Sequence, residues 1–167
     1  MHDELIARLA ATPANLAHLV AETTYAELDM TPAGSGWSAR TVLAHFRDDE
    51  YLCMRVALER MLAEDTPTLR FIDGSKWEPE RSRARERKEW LLGDFALQRQ
   101  ASVAILRGLR NSDWDRGGRT VERGVFTVAA FLRAWVSHDD QHVGQLEAAL
   151  GETLAQVRER RARRDEK

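Results

Sequence analysis

Cysteine is nearly missing from this chain. Cys53 stands alone, so no intrachain disulfide can form and a cysteine-rich metal site is excluded. Long apolar runs are missing too. No stretch approaches the roughly 20 apolar residues of a membrane span. The opening Met1-His2-Asp3-Glu4 is polar, with no apolar run behind it to serve as a signal peptide. Neither sign of charge dominates: 25 Lys and Arg stand against 27 Asp and Glu, a net charge of -2. Such a balance implies no general affinity for nucleic acid or anionic membranes. Lysine is scarce, confined to Lys76, Lys88 and Lys167, a compositional bias toward arginine that says nothing of mechanism. No strand-type alternation or internal repeat stands out. These absences lead to the expectation of an intracellular, cytoplasmic protein that works without a disulfide framework, a membrane or a nucleic acid.

A chain of 167 residues, 43% apolar and 31% charged, suits one globular domain with a real core. Four helical segments are expected. The first reads as split: Leu5, Ile6 and Leu9 make a turn or two, then Thr12-Pro13 restarts the helix, Thr12 as N-cap and Pro13 at the first helical position. Leu16, Leu19, Val20 and Thr23 keep helical spacing. Thr31 to Gly36 is a loop. Ser38 caps the second helix, which runs to about Ala63 with an inward stripe of Val42, His45, Phe46, Asp49, Leu52, Cys53 and Val56. A long connection containing Pro67, Gly74 and Pro79 follows, and loops of that length inside a compact domain are often functional. The third helix spans about Arg83 to Leu109, with Leu91, Leu92, Phe95, Ile105, Leu106 and Leu109 on its face. Asn111 to Arg123 reads as another loop. Thr127 caps the fourth helix, which ends near Gly151. Residues 1–157 form the bundle and residues 158–167 a charged, solvated, frayed helical tail. The fold class is all-α, a four-helix bundle with long connections between helices 2 and 3 and between helices 3 and 4. Long crossovers permit parallel neighbours, so a strictly alternating order is not forced.

The polarity in this pattern is concentrated at Ser137 to Leu146, SHDDQHVGQL. On the fourth helix Val128, Phe131, Trp135, His138, His142, Gln145 and Ala149 form one stripe at the period of a packed helix. Both histidines lie on the side that should face the core. Residues four apart have Cβ atoms about 5–6 Å apart, so both imidazoles can reach one metal ion. The plain alternative is a pair of hydrogen-bonded core histidines, because an unsatisfied buried polar group costs about 1–3 kcal/mol. His45 offers a third ring on the apolar side of the second helix, with Asp49 one turn on. If the two helices pack side by side, three imidazoles converge. Three nitrogen ligands plus a water position is the arrangement of an open, catalytic site.

Gly36-Trp37-Ser38, then Thr41-Val42-Leu43-Ala44-His45-Phe46 and Glu50, resembles the first metal-ligand segment of the DinB-like family, also called the DinB/YfiT-like metalloenzymes. His138 to Leu146, with its His-x-x-x-His and trailing Gln, resembles the second. Asp113 to Arg116 with Gly124 to Val128 looks like that family's connection into the last helix, and Leu9 to Pro13 like its opening. The resemblance implies an up-down-down-up bundle and a divalent metal, commonly zinc or nickel, held by His45, His138 and His142. It also implies frequent homodimers. Characterised relatives include S-transferases that use low-molecular-weight thiols such as mycothiol or bacillithiol, and others are described as metal-dependent hydrolases. The expectation is therefore a metal-dependent enzyme of an unidentified small molecule. A thiol-dependent S-transferase comes first, a hydrolase second, and a non-catalytic, dimeric metal-binding stress protein third.

Asp49 is the candidate catalytic residue. It can orient His45, coordinate the metal, or act as a base on bound water, against the reading of a plain helix-surface carboxylate. Gln145, one turn beyond His142, can hydrogen-bond a ligand histidine and fix its tautomer. Glu50 suits a structural hydrogen-bonding role, and Asp139 and Asp140 read as solvated or salt-bridged. Trp37 reads as a plug at the start of helix 2. Trp135 reads as core, with a pocket wall as the alternative. Cys53 reads as a buried inert thiol. The run Arg81 to Lys88 is a solvated helix start, with an anionic cosubstrate site as the alternative.

Overall fold

The computed structural model describes residues 2–31, 36–71 and 86–165, with side chains as far as residue 151. The first helix is not split: α1 runs unbroken over His2–Leu19 with Pro13 inside it. An interior proline lacks the N–H that would bond the carbonyl four residues back, here Leu9, at a cost of about 3 kcal/mol. Arg99 Nη1 donates to that carbonyl instead, at 3.0 Å. Thr12 caps nothing; its hydroxyl donates to Asp139 Oδ2 at 2.7 Å. A short α2, Tyr25–Asp29, follows, opened by a capping box between Thr24 and Glu27.

The second bundle helix begins as α3, Ala39–Asp49, where the Ser38 hydroxyl accepts from the Thr41 N–H as expected. It then widens into a π turn over Glu50–Arg55 and resumes as α4, Val56–Ala63. A π turn holds one residue more than an α turn, so it rotates everything after it. The expected stripe slips accordingly. Leu52 and Val56 are 40% and 39% exposed, and Cys53, Met54, Ala57, Leu58 and Met61 are buried.

The third bundle helix, α5, spans Lys88–Arg107, later than the expected start at Arg83 because Arg87 is extended. Gly74, Pro79 and the stretch 81–85 lie outside the described residues. The polar segment before the last helix is not the plain loop expected. It contains a 3-10 turn, Asn111–Asp115, and an antiparallel hairpin of β1, Gly117–Thr120, and β2, Gly124–Thr127, pairing Gly117 with Thr127 and Thr120 with Gly124. Gly124 has φ +68°, which glycine adopts at no steric cost. At Gly118 a Cβ would meet Leu69 Cδ1 at 2.7 Å and Met61 Cγ at 2.9 Å. The inward position of the strand is therefore filled by a residue with no side chain, which hides the alternation. The last helix, α6, is Val128–Asp165, capped by Thr127, whose hydroxyl accepts from the Ala130 N–H at 3.2 Å. It runs past Gly151, where the sequence pattern ends it. One interior glycine costs about 1 kcal/mol, too little to stop a helix followed by good formers.

The contacts give the helix directions. α1 and α6 are parallel: Ile6 and Leu9 pack with Val128 to Val136, while Leu16 and Val20 pack with Leu146 to Leu150. α5 opposes α1, since Arg99 meets the Leu9 carbonyl and Lys88 Nζ meets the carbonyls of Val20, Ala21 and Thr23. α3 runs with α5: Arg40 reaches the Glu86 carbonyl, Phe46 packs on Phe95, and Glu50 meets Arg99. The bundle is thus up-down-down-up. Its apolar residues form two clusters, one toward each end, and the polar layer lies between them. Among the described residues no helix is long and apolar enough to cross a membrane.

Candidate metal centre

Antiparallel packing of α3 against α6 brings the three histidines into one cluster. One ring nitrogen from each of His45, His138 and His142 lies within 4.8 Å of the other two. The ring centroids are 4.4 to 5.3 Å apart. His45 Nε2 and His138 Nε2 face each other at 3.2 Å. Zn–N bonds near 2.0–2.1 Å in a tetrahedral shell put nitrogens roughly 3.3–3.4 Å apart, so this pair is already at ligand spacing. Asp49 Oδ2 stands 3.2 Å from His138 Nε2. Asp49 borders the cluster through that ring and is not a surface carboxylate, being buried in the α3 wall.

The chemistry of this donor set fits a cation. Gln145 Oε1 accepts from His142 Nδ1 at 2.8 Å, which leaves the other nitrogen of that ring with its lone pair. Burial, then the neighbouring His138 and His45 rings, pull the His142 pKa down to about 4, so the ring is neutral at pH 7. The two facing Nε2 atoms and the carboxylate oxygen are close enough to be bridged by a ring N–H or by a cation held between them. Three imidazoles with an adjacent carboxylate suit zinc and its first-row neighbours.

Aromatic rings flank the cluster on two sides. Trp37 lies nearly parallel to His142, 5.8 Å away at 9°, and edge-on to His45 at 5.0 Å. Trp37, expected as a plug at the helix start, places its indole as a wall of the histidine cluster. Phe46 meets His138 and His142 edge-on at 6.3 and 6.0 Å. Trp135 is fully buried in the core.

A buried charge network lies behind the histidines. Arg99, 2% exposed, donates from Nε to Glu50 Oε2 at 2.9 Å, and from both Nη atoms to Asp139. Its guanidinium lies over Phe95 and Trp135. Burial pushes the Glu50 carboxyl up, and the charge of Arg99 offsets only part of this. Burial also pushes Asp139 up, but the pull of His138, Arg99 and Thr12 outweighs it and holds that carboxyl below its ordinary value. Sequence reasoning did not single out Arg99. The signal was there in its spacing: Phe95, Arg99, Ser102 and Leu106 share one helical face, and all four are buried.

The remaining expected residues are dispersed. Asp140 is exposed and pairs with Arg8 at 2.6 Å. Cys53 is buried in the π turn, outside the convergent group. Lys88, the last residue of the basic run, is taken up by the three carbonyls at the end of α1, a structural use of its charge. A groove between α1 and α6, lined by Arg8, Thr12, Asn15 and Glu147, is not lined by the histidines.

The sequence pattern of the DinB superfamily matches residues 8–146. YfiT of Bacillus subtilis (strain 168), whose name marks it as a candidate metal-dependent hydrolase, is 26% identical over 149 residues, 86% of this chain and 81% of that protein. The solved structure of YfiT from Bacillus subtilis, described as having an unusual four-helix bundle topology, is similar with a TM-score of 0.81 at 24% identity, covering 93% of this chain and 87% of that one. At that identity the structural likeness bears on the fold alone.

Proposed function

The chain belongs to the DinB superfamily, and from that membership and the meeting of His45, His138 and His142 we propose that it is a divalent-metal-dependent hydrolase of a small-molecule substrate. The observation that carries the reading is a carboxylate, Asp49, 3.2 Å from a ring nitrogen of a three-histidine cluster. In this reading the three histidines hold a zinc or nickel ion. A metal held by them would supply Lewis acidity toward a substrate oxygen and would lower the pKa of a water molecule. Asp49 is the proton acceptor for the attacking water and returns the proton to the leaving group. Gln145 keeps the His142 lone pair aimed at the ion. Trp37 and Phe46 keep bulk water away, which strengthens each electrostatic interaction inside.

The thiol-transfer reading uses the same position. Three neutral nitrogen ligands would leave the full charge of the ion available to lower the pKa of a low-molecular-weight thiol. Asp49 can accept a proton from water or from a thiol, so it serves either route. The hydrolase name of YfiT puts hydrolysis first.

The test is elemental analysis of the untagged protein beside His45→Ala, followed by ester, amide and phosphoester hydrolysis assays with and without added thiol. We expect one zinc or nickel per chain, lost in His45→Ala. Asp49→Asn should keep the metal and lose about 10²–10⁴-fold in turnover. Absence of metal from the wild type after incubation with both ions would overturn the reading. Turnover that requires a thiol would replace hydrolysis with S-transfer.

A further inference from the structure

The hydrolytic chemistry does not use the buried ion pair of Arg99 and Asp139, yet the structure aims it at the histidines. We propose that Asp139 is a positioning residue that fixes the tautomer and orientation of His138, and that Thr12, Pro13 and Arg99 hold its carboxylate in place. This rests on the reading of His138 as a metal ligand.

His138 Nε2 is the nitrogen turned toward His45 and Asp49. For it to offer a lone pair, the proton of the neutral ring must sit on Nδ1. That Nδ1 is buried with no hydrogen-bond partner, and Asp139 Oδ1 stands 3.5 Å from it. The gap is longer than a hydrogen bond, and a small turn of the ring closes it. Neighbouring residues on a helix do not normally face each other, so something must impose the inclination of Asp139. Three groups do. Arg99 Nη1 and Thr12 Oγ1 both donate to Oδ2. Arg99 Nη2 donates to Oδ1 at 3.1 Å, leaving a second lone pair there. Pro13 completes the arrangement, since its missing N–H frees the Leu9 carbonyl that anchors Arg99 Nη1. The adjacent Thr12 and Pro13 thus serve one buried carboxylate through two routes. Each histidine of α6 then has its own acceptor at Nδ1, Gln145 for His142 and Asp139 for His138. Carboxylates in this outer position raise ligand basicity and lock ring orientation.

The test is zinc titration of the untagged full chain as wild type, Asp139→Asn and Thr12→Val, with long-range ¹H–¹⁵N NMR of His138 in the zinc-free protein. We expect the zinc dissociation constant to rise about 10–100-fold in Asp139→Asn, with a smaller rise in Thr12→Val and unchanged helical circular dichroism. His138 should carry its proton on Nδ1 in the wild type and on Nε2 in Asp139→Asn, where Asp49 becomes the one carboxylate at the ring. A merely structural role would lower thermal stability without moving the tautomer. Affinities within about twofold of wild type in both variants, or an Nε2–H tautomer in the wild type, would overturn the proposal while leaving the metal site standing. If Asp139→Asn does not fold, Thr12→Val and the wild-type tautomer decide. A wild type that binds no zinc removes the ligand reading and this inference with it.

Discussion

Burial displaces the titration of His142, and this makes the protein's stability depend on pH in a definite direction. Its pKa is about 4 in the folded chain against 6.5 for an unperturbed ring, with burial the leading cause. Below pH 6.5 the unfolded chain takes up a proton that the folded chain refuses. Stability therefore rises with pH across this window. Above 6.5 the contribution is flat, and it is lost progressively as pH falls toward 4. Thermal melts of the metal-free protein should show this slope, and His142→Gln, which has no titrating ring, should flatten it. An equal slope in both proteins would assign the effect to other groups. His45, His138, His142, Asp49 and Gln145 were all visible in the sequence because each lies on an unbroken helical stripe. Arg99 lies on such a stripe too, with Phe95, Ser102 and Leu106, but a lone arginine ordinarily belongs to the surface, so its spacing alone does not mark it. Its two carboxylate partners come from other helices, and no spacing within one helix reveals them.

At the scale of elements, the helices were legible and their irregularities were not. Ser38 and Thr127 mark helix starts by a local rule, a side-chain oxygen that accepts an orphan N–H. The π turn at Glu50–Arg55 has no such mark. It shows itself only as a stripe that slips by one residue, turning Leu52 and Val56 outward. Pro13 followed the sequence rule for a helix start, and tertiary structure overrode it through Arg99. The hairpin was hidden by Gly118, where the core leaves no room for a Cβ. Gly118→Val should force Leu69 and Met61 off their rotamers and cost about 1–3 kcal/mol. Chemical denaturation would read this as a lower midpoint at unchanged slope. The histidines lie on other elements, so zinc stoichiometry should stay the same. A variant as stable as the wild type would show that the hairpin shifts freely on α4.

For the whole molecule, the order of helix directions is the property that periodicity leaves open. Two long crossovers allow several arrangements, and the resemblance alone implied up-down-down-up. The folded chain supplies a physical key. Arg99 on α5 binds the Leu9 carbonyl of α1, Glu50 of the second bundle helix and Asp139 of α6. One guanidinium thus ties all four helices at a single level, and another register or direction would leave two buried carboxylates without a cation. Arg99→Met should therefore cost about 3–5 kcal/mol, because removing one partner strands the other charges. The triple variant Arg99→Met, Glu50→Leu, Asp139→Leu replaces the whole network with apolar side chains and should regain most of that stability. It should not regain zinc affinity if Asp139 positions His138. Denaturation midpoints and zinc titrations on the two variants separate the roles. A stable triple variant with wild-type affinity would make the network a device for folding alone, whereas a stable one that binds zinc weakly would show that the charges buried at the centre of this bundle are kept for the metal.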